Sequence, residues 1–385
     1  MSPSLLFHCQ HSLGLGHLVR SLALAGGLAT RFEVTLLNGG RLPAGTVVPR
    51  GVELVDLPSL GHDAQHRLVS HSPGRSVEAV QRARARLVLE TFHRVAPDVV
   101  VVELYPFGRR KFEFELRPLL DAAAGAPCRP LVLSSVRDIL VGRDDGGRHD
   151  ERAARLANER LDGVLVHSDP TFARFEESFR PMTPLDVPVH HTGFVVPPRR
   201  ATRRRTHRRL LVSAGGGMVG EGLLCVAADA AMALHARTGL TTTLVAGPFL
   251  PGAARRHLWS RRGPVLDVVD RVDDLCGEVA ASAASLSQAG YNTALDIVRA
   301  GRPAVVVPYA DGGEDEQTRR AARLADLGLL RAVAAAELTP ARLVDEVLAA
   351  LAAPPPPVPL DLGGRERSTE IVAALVATRR REAVS

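Results

Sequence analysis

His17 follows two glycines, Gly14 and Gly16, where a short apolar run gives way to a helical pattern. An imidazole in a first helical turn can exchange a proton near neutral pH. It can equally serve as a helix-start residue bonded to backbone. The stretch HSLGLGHLVRSLALA (11–25) is no dinucleotide fingerprint, because no GxGxxG continues from the second glycine. His11 sits in the same loop, placed to line a cleft. His8 alternates with Leu6 and Gln10 and reads as structural. A second glycine signal, SAGGGMVGEGLL (213–224), closes a β-rich run before another helical stretch. Backbone N–H groups at such a turn can hold phosphate oxygens. The turn lacks the GK[ST] ending of a P-loop, which disfavours ATP or GTP hydrolysis.

The third signal runs from 287 to 321, SQAGYNTALDIVRAGRPAVVVPYADGGEDEQTRRA. Gln288, Ala289 and Gly290 leave a strand. Asn292 or Thr293 can cap the next helix. Asp296, one turn in, can accept hydrogen bonds from sugar hydroxyls; it can also simply favour the helix N-terminus. Glu316 and Gln317 open a later helix after a polar loop. In the first half, Glu103 ends an apolar run with a basic turn beside it, and Arg137 with Asp138 ends the next run. A strand-end carboxylate and arginine suit a polar second ligand, or each other as loop ion pairs. Asp169 lies near another strand end, where helix capping is as good a reading as catalysis.

These residues need elements to hold them. Apolar runs at 4–10, 32–38, 51–57, 97–104, 130–136, 162–168 and 190–196 alternate with helical stretches at 18–29 and 75–95. The pattern restarts with strands at 208–217, 241–247, 263–269, 284–290 and 302–309, and helices to about 237 and at 292–300, 314–327 and 340–352. Short buried runs separated by helices describe open parallel sheets. The expected organisation is an N-terminal α/β domain at 1–197, an arginine-rich linker at 198–209, a C-terminal α/β domain at 210–355, and a tail at 356–385. The linker region PPRRATRRRTHRRL carries seven arginines. The tail follows a proline-rich break and regains a helical pattern at 365–380, expected to cross back to the first domain. Ligands of doubly wound sheets bind beyond the carboxyl ends of the strands, which places the expected site in a cleft between the domains.

Composition bounds the rest. The 385 residues are 45% hydrophobic and 23% charged, a globular balance that also provides for two or three domains. No apolar run reaches the roughly 18–20 residues of a membrane-spanning helix. The opening MSPSLLFHCQ reads as a strand rather than a secretory signal. Cys9, Cys128, Cys225 and Cys276 form no CxxC pair, which fits reduced thiols and a cytoplasmic protein. The formal charge is +6, and Lys111 is the only lysine. That excess permits an anionic partner without naming one. No nucleic acid is expected.

Four motifs together carry a resemblance: GLGH at 14–17, SAGGG at 213–217, SQAGYNT at 287–293 and DEQ at 315–317. In this order across two α/β halves, the chain resembles the MurG-like glycosyltransferases, and most closely a branch of predicted bacterial ones. The resemblance covers about 4–352. It implies the GT-B architecture, two doubly wound Rossmann-like domains facing a central cleft. It also implies a nucleotide-sugar donor, UDP-sugar favoured, held mainly by the second domain. Gly215, Gly216 and Gly217 would be the diphosphate loop. The 288–296 segment would hold the donor, with Asp296 where the family more often has glutamate. Gln317 would contact the transferred sugar. His17 would stand beside the reacting centre, with Glu103 and Arg137 as its catalytic companions. His11, Gly14, Gly16, Arg20 and Asp138 would lie on the acceptor side. The acceptor is a small-molecule or lipid-linked hydroxyl, so peripheral contact with the inner face of the membrane stays open. No cofactor and no obligatory metal are expected, since no DxD site stands out; Asp144 and Asp145 lie in a glycine-rich loop. GLGHLVRSLALA also resembles nucleotide-sugar hydrolases of related fold, which keeps hydrolysis as the alternative, ahead of an epimerase or a sugar-nucleotide-binding module.

Overall fold

The computed structural model describes residues 2–11, 16–43, 45–62, 67–142, 145–198, 206–216, 219–310, 315–354 and 360–382. The chain divides into two compact units: Met1–Pro197 with Leu360–Ser385, and Pro198–Pro359.

The first unit contains strands β1 (Ser4–Cys9), β2 (Glu33–Asn38), β3 (Val52–Asp56), β4 (Leu60–His62), β5 (Leu68–Ser70), β6 (Val99–Glu103), β7 (Leu131–Arg137), β8 (Gly163–His167) and β9 (Val189–His191). Seven of them form one parallel sheet in the order β3-β2-β1-β6-β7-β8-β9. The strand order reverses at β1, whose neighbours are β2 and β6. The crevice at the carboxyl ends of β1 and β6 is therefore a topological switch point. Strand alternation splits the VVVV run of β6 between the two faces. Val99 and Val101 pack with Leu18, Leu22 and Leu24 of α1 (Gly16–Leu28), while Val100 and Val102 pack with Val80, Val88 and Leu116 of α2 (Val77–Val95) and α3 (Glu113–Ala124). α4 (Arg148–Arg160) joins the second face through Ala153, Ala154 and Ala157.

The second unit repeats the plan with β10 (His207–Ser213), β11 (Thr241–Val245), β12 (Leu266–Val269), β13 (Ser282–Ser287), β14 (Ala304–Val306) and β15 (Arg331–Ala332). Its six parallel strands run β12-β11-β10-β13-β14-β15, and the order reverses between β10 and β13. Its helices are α5 (Glu221–Thr238), α6 (Gly252–Trp259), α7 (Leu275–Ala280), α8 (Tyr291–Ala300), α9 (Glu316–Asp326) and α10 (Pro340–Ala352). The alanine-rich face of α5 packs on the sheet and α10, which small side chains allow at close range.

α11 (Gly364–Glu382) belongs to the first unit and packs on α1. Its entry is clasped by backbone: Phe194 N–H donates to Asp361 O at 2.8 Å, and Gly364 N–H to Phe194 O at 3.0 Å. Gly193 has φ +78°, and a Cβ there would lie 2.7 Å from the Asp361 carboxylate. This clasp explains one departure from the sequence reading. The strand expected over 190–196 ends at His191: Thr192 and Gly193 still donate to Val166 O and Ser168 O beside β8, and from Phe194 the backbone bonds to the returning tail.

Other departures are local. The linker expected over 198–209 is shorter, since β10 already begins at His207. Of that linker, 199–205 lie outside the described residues, as do 355–359 at the expected start of the tail. The strands expected over 284–290 and 302–309 end at Ser287 and Val306, so the SQAG segment is mostly loop. The β4–β5 hairpin, α3 and α4 were not legible. α3 contains Pro118, and α4 buries only His149 and three alanines, which leaves little apolar stripe to detect. No described helix is long and apolar enough to cross a membrane.

Candidate functional site

At the switch point of the first unit, α1 begins at Gly16 and puts His17 and Arg20 one turn apart on one side. β6 ends at Glu103, which alternation places on the α1 face with Val99 and Val101. Leu104 (φ +64°) then turns the chain sharply, and Arg109 (φ +61°) returns its guanidinium to the same carboxylate. Glu103 is 1% exposed. Its Oε1 accepts from His17 Nδ1 at 2.5 Å and from Arg20 Nη2 at 2.6 Å; its Oε2 accepts from Arg109 Nε at 3.2 Å. Burial alone would raise the Glu103 pKa. The charges of Arg109 and Arg20 and the hydrogen bond from His17 override it and hold the carboxyl well below the usual carboxylate range. An ionised carboxylate only accepts, so His17 Nδ1 carries the proton and Nε2 keeps its lone pair. Burial drives the imidazole down to about 3; Glu103 pulls it up, and the two guanidiniums push it down. His17 is thus neutral at pH 7, with its side chain 20% exposed.

Two sequence expectations change here. Arg137 does not join Glu103. The register pairs Glu103 with Ser135, so Arg137 lies two residues farther along β7, at the level of His167. Asp138 follows it, buried, and likewise makes no contact with Glu103. His11 does not line an open surface: it is 3% exposed, its Nε2 donates to Asn38 Oδ1 at 3.0 Å, and its ring lies under Gly40. Burial lowers its pKa. Gly14 lies outside the described residues. The partner that sequence reasoning missed is Arg109, hidden in the basic turn after Glu103.

A second buried carboxylate, Glu115, lies on the opposite face of β1 and is closed to solvent. Arg84 holds it bidentately, Nε to Oε2 at 2.7 Å and Nη2 to Oε1 at 2.6 Å, and His8 Nε2 donates to Oε1 at 3.0 Å. Arg84 also donates to Gly39 O and Gln10 Oε1. This group ties α2, α3 and the loop after β1 together, in keeping with the structural reading of His8.

The switch point of the second unit gathers the glycine turn and the 288–317 residues. Gly215 has φ +59°, and a Cβ there would lie 3.9 Å from Thr293 Oγ1, which makes the turn and the start of α8 neighbours. Gly247 (φ +84°) lets the turn settle: a Cβ on it would lie 2.6 Å from the Gly216 carbonyl carbon. Phe249 N–H donates to Gly216 O at 2.9 Å. Gly215 N–H donates to Ser213 Oγ at 3.3 Å, which leaves less of it for a ligand than Gly216 has. Gly217 lies outside the described residues. Gln288 Nε2 donates to Val219 O at 3.1 Å, linking the SQAG loop to the far side of the turn.

Gln317 Oε1 accepts from Ala289 N–H and Tyr309 N–H, each at 3.1 Å, so only its Nε2 is left to meet a ligand. Glu316 is buried and pairs with Arg320 at 3.3 Å. Arg320 in turn donates to Ala289 O at 2.9 Å and lies over the Tyr291 ring. α8 is capped by Gly290 without a side-chain bond, so Asn292 and Thr293 sit inside its first turn rather than capping it. Asp296 differs from every acid above. It makes no hydrogen bond and no ion pair among the described residues. Burial raises its pKa to about 7; Arg299 opposes the rise and Asp274 adds to it. Among the described residues no three His, Cys, Asp or Glu side chains cluster closely enough to hold a metal ion.

Comparison with known proteins bears on the fold and on the second unit. Residues 245–358 match the glycosyltransferase family 28 C-terminal domain. The UDP-N-acetylglucosamine--N-acetylmuramyl-(pentapeptide) pyrophosphoryl-undecaprenol N-acetylglucosamine transferase of Rhodopseudomonas palustris is 34% identical over 100 residues, 26% of this chain and 27% of that enzyme. The match thus spans 26% to 37% of the length of the curated relatives. The glycotransferase of kitacinnamycin superposes with a TM-score of 0.62 at 17% identity, covering 98% of this chain and all of that one. MurG of Acinetobacter baumannii superposes at 0.56 and 16% identity, with 98% and 100% covered. At such identities the likeness concerns the fold, and the fold is GT-B.

Proposed function

We propose that the protein transfers a sugar from a nucleoside-diphosphate sugar to an acceptor hydroxyl. The carrying observation is His17, neutral, oriented by Glu103 through Nδ1, with Nε2 left as the base. In the proposed step Nε2 takes the proton of the acceptor hydroxyl as its oxygen attacks the anomeric carbon. The bond from that carbon to the diphosphate breaks, and its electron pair leaves with the diphosphate. Backbone N–H groups of the glycine turn, Gly216 foremost among the described residues, stabilise the leaving charge. Asp296 accepts from a ribose hydroxyl, and Gln317 Nε2 donates to the transferred sugar.

A UDP-sugar is the favoured donor, by analogy with the Rhodopseudomonas palustris enzyme, whose name specifies UDP-N-acetylglucosamine. That name also specifies a pyrophosphoryl-undecaprenol acceptor, so a lipid-linked acceptor met at the inner face of the membrane is part of the proposal. The transfer is proposed to need no obligatory metal, and activity is expected to survive chelation.

The test is mass analysis of reactions with candidate nucleotide sugars, with and without acceptor pools. A sugar-shifted acceptor whose formation falls about 10²–10⁴-fold in His17→Ala is the expected result. Free sugar released at full rate without acceptor would replace transfer by hydrolysis. Tighter binding of NAD than of any nucleotide sugar would remove the donor assignment.

A further inference from the structure

Arg109 stands at the His17–Glu103 centre with more hydrogen-bonding capacity than the protein uses. It contributes one hydrogen bond, Nε to Glu103 Oε2, and meets no other acid among the described residues. Its side chain is only 14% exposed, and its Nη2 is buried with no hydrogen-bond partner. A buried guanidinium N–H left unpaired is costly, and a guanidinium binds carboxylate or phosphate oxygens better than it binds neutral groups. Glu103 does not answer this need: its Oε2 takes the Nε of the same guanidinium, and its Oε1 takes His17 and Arg20. The residue is also held for a purpose that its own turn does not explain: a non-glycine at φ +61° is uncommon, and here it brings the guanidinium to a carboxylate shared with the base.

We propose that Arg109 Nη2 binds an anionic group of the acceptor, a carboxylate or a phosphate, carried close to the hydroxyl that His17 Nε2 deprotonates. The proposal rests on the transferase reading for the role of His17 and adds the acceptor class, a hydroxyl compound with an anion near the reacting oxygen. One carboxylate fixes both groups, so hydroxyl and anion are read as a pair. Water carries no such anion. Arg109 therefore favours an acceptor over water in the same position.

The test titrates ¹⁵N-histidine-labelled protein with glycolate, inorganic phosphate and ethylene glycol, following the His17 ring signals identified by their loss in His17→Gln. Saturable shifts with glycolate or phosphate, and none with ethylene glycol at equal concentration, are expected. Saturation by one anion and not the other assigns the carboxylate or the phosphate. Arg109→Gln should weaken the response by about tenfold or more, and Arg109→Lys should retain part of it. Circular dichroism would verify that each variant is folded. No saturation in the wild-type protein, or equal titrations in wild type and a folded Arg109→Gln, would overturn the proposal. The titration requires no turnover, so its failure is separable from absence of transferase activity.

Discussion

Glu103 ends strand β6 at the switch point of the first sheet, and Asp296 lies in α8, the helix that follows β13 at the switch point of the second, yet the two acids are treated in opposite ways. Glu103 is enclosed by one imidazole and two guanidiniums and is held ionised. Asp296 is desolvated without a partner, and burial raises its pKa. The first site is assembled before any ligand arrives, and its chemistry is that of a base held in one tautomer. The second is left incomplete, and a hydroxyl donor from a ligand would complete it. The proposed transfer has use for both: a proposed base must be rigid at the moment of proton transfer, whereas a proposed donor site gains from groups whose cost is relieved only on binding.

The largest break in this comparison should come from Glu103→Gln. The neutral amide leaves two guanidiniums facing a group that cannot balance them, and removing one partner of a buried ion pair costs about 3–5 kcal/mol. It also frees His17 from its fixed tautomer. Urea unfolding should show a large loss of stability, and turnover per folded molecule should fall by about 10²-fold or more. A variant as stable and active as the wild type would mean that the enclosure of Glu103 is incidental.

Gly247→Ala should come next. The new Cβ cannot be accommodated at φ +84° against Gly216, so the glycine turn must move. A destabilisation of about 1–3 kcal/mol is expected, with binding of a nucleoside diphosphate weakened more than binding of the free nucleoside. Calorimetry with UDP and uridine separates the two. Equal loss for both ligands would detach the turn from the diphosphate.

Asp296→Asn should act in the opposite sense to Glu103→Gln. Removing a half-buried charge that has no hydrogen-bond partner should leave stability at pH 8 unchanged or raise it. UDP affinity should fall about tenfold, because the amide oxygen accepts more weakly than the carboxylate. A variant that loses stability and keeps its affinity would reverse the roles assigned to the two acids.

Much of this contrast was legible in the chain. The VVVV run ending in Glu103, the glycine–histidine turn and the SQAG segment all lie at strand ends, where the doubly wound pattern alone directs attention. Less legible was anything that depends on register or on a rare backbone conformation. Arg137 looked like the partner of Glu103 because it ends the neighbouring run, but the register places Ser135 there instead. Arg109 reaches Glu103 only because Leu104 and Arg109 both adopt left-handed conformations, which non-glycine residues give no sign of in sequence. Arg320 braces Ala289 from inside α9; its one signal was the i,i+4 spacing from Glu316, and that spacing is common on solvent-facing helices as well.

The sharpest use of the comparison is in the pH dependence of stability. His17 has a folded pKa of about 3, below the ordinary histidine value of 6.5, so between those limits the unfolded chain binds the extra proton. Its contribution to stability therefore rises with pH across that window and is complete above 6.5. Asp296 has a folded pKa of about 7, above the ordinary 3.8, so between those limits the folded chain binds the extra proton. Its contribution is fully present below 3.8 and is lost as pH rises through about 7. The two slopes oppose each other between pH 4 and 6.5 and partly cancel in the wild type. His17→Gln should remove the rising component, leaving stability that falls more steeply with pH relative to wild type. Asp296→Asn should remove the falling one and leave a steeper rise. Each change is bounded by one proton, about 1.4 kcal/mol per pH unit. Urea midpoints at half-unit steps from pH 4 to 8 measure both. Deviations of the same sign in the two variants would show that the enclosed site and the incomplete site do not differ in the way their geometry requires.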